Sequence, residues 1–171
     1  MANTFQLIQS ITVTGSAADI QFTNVPQTYT DLCVVASVAG RLTTGSFGAL
    51  VIYTAAPQSS ALSNWRNLRG ATSTVSSSTA AYPIIGELQY ISDPIFSSVH
   101  IYIPGYTTNT NKQVMMSDSA ALLNGSANVN SFNAEIIDST NTIGFVGLGD
   151  GSAGGGLRVG SMASLYGIKN T

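Results

Sequence analysis

Apolar residues in this chain recur at every second position, in short runs divided by turn residues, and that spacing restricts it to β-strands. In Phe5–Val13 the odd positions Phe5, Leu7, Ile11 and Val13 are apolar, while Gln6, Ser10 and Thr12 are polar. The alternation slips at Ile8–Gln9, where a bulge is expected to shift the register. Ile20 and Phe22 alternate with Gln21 and Thr23. Val99, Ile101 and Ile103 share a face opposite His100 and Tyr102, and Phe132, Ala134 and Ile136 share one opposite Asn133 and Glu135. Side chains of a strand alternate across the sheet, so each run reads as a half-buried strand with its apolar row on the core.

Turn signals fall between the runs: Thr14–Ser16, Asn24–Thr28, Gly40–Ser46, Ala56–Ser60, Thr72–Thr79, Ser92–Pro94, Gly105–Asn111, Asn124–Asn130 and Asp150–Gly156. Nine to eleven antiparallel strands fit between them, and no segment holds an i, i+3, i+4 apolar stripe. The fold expected is all-β: a single β-sandwich over residues 1–171, of jelly-roll type. Met162–Ile168 alternates as well, which makes the C-terminal strand part of a sheet.

Composition sharpens the functional question. Charged residues make up 8% of the 171 positions, against about 25% in ordinary globular domains. Ser and Thr fill about forty positions instead, beside 17 Gly, and the formal net charge is −2. A surface of this kind repels its neighbours weakly and favours association. The six basic residues are scattered (Arg41, Arg66, Arg69, Lys112, Arg158, Lys169), so no basic stripe for nucleic acid is expected. No run approaches the ~18 apolar residues of a membrane span, and MANTFQLIQS does not read as a secretory signal. Cys33, in LCVV, reads as a buried core thiol that forms no intramolecular disulfide.

Catalytic and metal chemistry find little material. His100 is the sole histidine, and no G-x-S-x-G elbow accompanies it. Zinc of the usual kinds would have only His100 and Cys33. GLGDGSAGGG around Asp150 lacks a second nearby acid for calcium and a following Lys for a phosphate loop. Of the eight acids, Asp31, Asp93, Asp118 and Asp138 border expected turns, where Asp bonds the local backbone. The expectation is a non-enzyme without cofactor or metal. A sugar-binding surface has one candidate cluster, Trp65 with Arg66 and Arg69 in NWRNLRG.

Three segments carry a resemblance: VPQTYTDLCVVASV (25–38), VHIYIPGYTTNTNK (99–112) and MASLYGIKNT (162–171). Together they resemble small virion proteins of tailed phages, including cyanophages, in which "IPQTYTDL", "IYIPNY…NK" and "ASLYGIKN" recur. Gly105 stands where that pattern has Asn. The resemblance implies a structural virion component: decoration, head-fibre or tail-fibre-like. The expectation is a capsid decoration or cement protein, a homotrimer held on the major capsid protein or another virion subunit. The alternative is a receptor- or glycan-binding fibre tip using Trp65, Arg66 and Arg69.

Overall fold

The computed structural model describes residues 4–15, 19–41, 47–54, 62–71, 74–78, 84–89, 95–110, 112–123, 127–137, 141–151 and 155–169. They form two sheets and no helix, so none of them makes a helix long and apolar enough to cross a membrane. The strands are β1 (Phe5–Thr12), β2 (Ile20–Thr23), β3 (Asp31–Val38), β4 (Phe47–Tyr53), β5 (Leu62–Ala71) and β6 (Thr74–Ser78). The second half adds β7 (Ile84–Gln89), β8 (Ser97–Ile103), β9 (Gln113–Leu123), β10 (Ala127–Ile137), β11 (Phe145–Asp150) and β12 (Met162–Ile168). The large sheet runs β1-β12-β3-β8-β9-β10-β5-β6 and the small one β2-β11-β4-β7, with every pairing antiparallel.

These twelve strands exceed the nine to eleven expected. One that the turn signals concealed is β6, inside Thr72–Thr79. Its described side chains are exposed, and an edge strand needs only backbone bonds to β5, so no apolar row marked it. Eight strands form the sandwich proper, β1-β12-β3-β8 over β2-β11-β4-β7. Apart from β4 and β7, which pair within the small sheet, consecutive strands of this set lie in opposite sheets, and the first strand pairs with the last. Two hairpins, β9–β10 and β5–β6, widen one edge of the large sheet.

Between the sheets the alternation is obeyed closely. Leu32, Val34, Ala36 and Val38 of β3 face Ile20, Phe22, Leu50, Ile52, Val146 and Leu148 of the small sheet in one buried cluster. β8 adds Val99, Ile101 and Ile103, and β12 adds Ala163 and Leu165. The slip at Ile8–Gln9 is a register shift between Leu7 and Gln9 in the β1–β12 ladder, which lets Ile8 and Ile11 both pack on the core.

The loop ends are pinned by polar contacts. Asp31 accepts from the Tyr102 hydroxyl at 2.8 Å and from Gly105 N at 2.9 Å. The hydroxyl of fully buried Tyr106 donates to the Pro26 carbonyl. Gly105 has φ +58°, a region open to Gly and, among other residues, best tolerated by Asn. The departure from the resembled pattern at this position therefore preserves the turn.

Candidate functional site

In the middle of β9, β10 and β5 the alternation is turned inside out, although Met115, Ala121, Val129 and Ile137 of the same inward rows stay buried. Asn133 and Glu135 of β10 are buried, as are Ser117 and Ser119 of β9 and Asn67 of β5. Phe132 is 63% exposed, Met116 51% and Leu68 51%. This corrects the expectation that Phe132, Ala134 and Ile136 form a core row: Phe132 and Ala134 face solvent, and Ile136 is only partly covered. The register explains it. β10 pairs Phe132 with Asp118 and Leu68, and Asn133 with Ser117 and Asn67, so the polar row forms a ladder of its own. Asn67 Nδ2 donates to Asn133 Oδ1 at 2.7 Å, and Asn133 Nδ2 donates to Ser117 Oγ at 3.1 Å. Satisfied side-chain bonds remove most of the cost of burying these groups.

Glu135 belongs to the same inward row and is not satisfied. Neither of its carboxyl oxygens has a hydrogen-bond partner, and burial pushes its pKa up to about 8. It is therefore protonated at neutral pH, since isolating a carboxylate from water costs more than keeping its proton.

The outward face of the large sheet carries exposed apolar side chains on seven of its eight strands, among polar ones such as Ser10, His100, Asp118 and Arg66. Nine of the ten large apolar side chains exposed among the described residues stand on it. They are Phe5 and Leu7 (β1), Met162 (β12), Val35 (β3), Val114 and Met116 (β9), Phe132 (β10), Leu68 (β5) and Val75 (β6); the tenth, Val159, lies in the turn before β12. A groove of about 670 Å³ runs along this face, bordered by Arg66, His100, Tyr102, Met116, Asp118 and Phe132.

Cys33, His100 and Asp118 lie in line at the edge of that groove. Cys33 Sγ is 3.1 Å from His100 Nε2, and His100 Nδ1 is 3.2 Å from Asp118 Oδ1. The spacing is that of a nucleophile, a base and its orienting acid. The surroundings oppose the chemistry. Cys33 is 2% exposed, and its thiol pKa is raised by burial and then by the Asp118 charge, whereas a nucleophilic cysteine needs a lowered one. The backbone amides around it belong to the β3 and β8 ladders, so none is free to hold an oxyanion. The trio is a relay that orients three side chains. Cys33 is buried, as expected, but on the outward face under His100 rather than between the sheets. Asp118 stands mid-strand, not beside a turn; Asp93 and Asp138 lie outside the described residues.

Of the candidate sugar cluster, Arg66 and Arg69 do not come together. Arg66 borders the outward groove. Arg69, three residues on, projects from the opposite face, where its Nε donates to Glu87 Oε1 at 2.5 Å. An odd spacing along a strand places two side chains on opposite faces. The Trp65 backbone lies in β5 near the register shift opposite Ala134–Ile136, and its side chain lies outside the described residues.

Among the described residues no three His, Cys, Asp or Glu side chains converge as metal ligands. The Asp150 carboxylate accepts from Gly156 N at 3.3 Å and packs on Gly155, so it organises its own loop. No family model, curated protein or solved structure matches this chain.

Proposed function

We propose that this chain is a jelly-roll structural subunit of a tailed-phage particle, a decoration or cement protein that works by binding protein through the outward face of its large sheet. The observation that carries the reading is the inversion on β9, β10 and β5, where polar side chains are buried and Phe132, Met116 and Leu68 are left in water. An apolar row exposed while a polar row is buried behind it fits a face that is covered in the working state. The low charge of the chain and its resemblance to phage virion proteins support the same reading. The strand order β1-β12-β3-β8 over β2-β11-β4-β7 supports the jelly-roll assignment. No catalytic step is assigned to Cys33 and His100: His100 is exposed, but Cys33 is buried and its thiol pKa is raised.

The test is to locate the protein in purified particles by labelling and to count copies on quantified gels. Many copies spread over the head support the decoration role. Its absence from particles overturns the reading.

A second reading rests on the groove itself. Arg66, His100 and Asp118 give it polar groups, and Tyr102 and Phe132 give it rings, which is material for a glycan at a fibre tip. Binding on a glycan array that is lost in Arg66→Ala, with folding retained, would favour it.

A further inference from the structure

We infer that the occupant of the outward face is a second copy of this chain, packed face to face across a two-fold axis that runs along β10. The inference rests on the reading of this face as a protein interface and names its partner; it does not depend on where in a particle the protein sits.

Area is the first argument. From β9 to β6 the inserted part of the sheet spans four strands averaging about nine residues, which gives roughly 600 Å² at strand spacings near 4.8 Å and rises near 3.4 Å. A standard stable interface needs about 800 Å² per partner, so this patch supplies most of it and the neighbouring strands supply the rest.

Charge is the second argument. Arg66 and Asp118 stand on this patch on either side of β10, Arg66 in the row of Ala134 and Asp118 in the row of Phe132. A two-fold axis along β10 lays β5 of one copy over β9 of the other. Each Arg66 then reaches Asp118 of the opposite copy, and the pair occurs twice. Such reciprocity is what an isologous interface requires, with residue i meeting j and j meeting i. The chain's net charge of −2 adds little repulsion between copies. Phe132 lies on the axis, so the two Phe132 rings meet at the centre, where a large desolvated aromatic contributes most.

A foreign protein or a glycan would also cover the groove, but neither is called for by a patch that carries its own countercharge.

The experiment is light scattering and sedimentation on the full chain over a range of concentrations. The expected particle has twice the 17.7 kDa of one chain. Phe132→Lys should weaken dimerisation by about 100-fold or more. Arg66→Glu and Asp118→Lys should each weaken it by about tenfold, and their combination in one chain should restore it. Phe132 is largely exposed, so the variant should keep its circular dichroism and melting temperature as a monomer. A wild-type monomer, a trimer indifferent to Phe132→Lys, or a charge-reversed double variant as weak as its parents overturns the proposal. Particle binding separates the two readings. A monomer that still coats particles through this face leaves the structural role standing without the dimer. A Phe132-dependent dimer absent from particles leaves the dimer standing without that role.

Discussion

The outward faces of the two sheets solve the same problem in opposite ways. On the small sheet the chain covers itself. Tyr53 lies flat across Gly147, where a Cβ would come within 2.2 Å of its ring. The ring stacks on Phe145 at 5.7 Å, and its hydroxyl donates to Asp19 at 2.6 Å. Tyr53 is 2% exposed on this outward face. On β9, β10 and β5 the large sheet does nothing of the kind. There Phe132, Met116 and Leu68 stand exposed, and the glycine on this patch, Gly70, has nothing within 4 Å of its Cβ position. One face is finished by the chain that makes it, whereas the other is left for something else to finish.

Four measurements would break or sharpen that contrast. The largest effect is expected behind the unfinished face, at Glu135. Its pKa is raised from 4.5 to about 8, so the folded state holds a proton that the unfolded chain releases between those values. The stability this proton confers is complete below about pH 4.5 and is lost as pH rises toward 8. The wild type should thus weaken by up to about 4 kcal/mol from pH 5 to pH 9, while Glu135→Gln should stay nearly flat. Urea titrations at both pH values read this directly; a flat wild type would mean that Glu135 reaches water and that the row is not inverted.

Next is Gly147→Val on the finished face. The side chain must displace Tyr53 from Phe145 and Asp19, and a loss of about 3 kcal/mol is expected by denaturant melting. Tyr53→Phe removes the hydroxyl bond to Asp19 and should cost about 1 kcal/mol. The smallest effect belongs to the unfinished face. Phe132→Ser, measured on dilute monomer, should change stability by less than about 0.5 kcal/mol, because the ring is already in water. A loss as large as that of Gly147→Val would show that Phe132 packs within its own chain, and the contrast between the faces would collapse.

Much of this was legible along the chain. β2, β8 and β12 occupy the alternating runs Ile20–Thr23, Ser98–Pro104 and Met162–Ile168 to within a residue, and the bulge falls where Ile8 and Gln9 interrupt β1. Those strands each press one face on the opposite sheet of the chain itself, so apolar and inward coincide. The candidate face was not legible. Phe132 and Ala134 alternate with Asn133 and Glu135 as cleanly as Val99 and Ile101 alternate with His100 and Tyr102, yet one apolar row is outside and the other inside. The near approach of Arg66 to the groove, and the parting of Arg69 from it, follow from strand parity once β5 is recognised. NWRNLRG has no clear alternation by which to recognise it.

The sequence by itself determined that this chain is strands, where most of them begin and end, and that its surface would carry few charges. Those are local properties: side-chain period, turn chemistry and residue type act over a few positions. Only the tertiary structure decided which row of β9, β10 and β5 faces inward, because that depends on partners distant along the chain. Asn67, Ser117 and Asn133 are separated by up to 66 residues, and only their pairing across three strands satisfies the amides. Satisfying a buried amide and burying a phenyl ring are both favourable, and on these strands the fold gives the first to its own interior and leaves the second to a contact outside the chain.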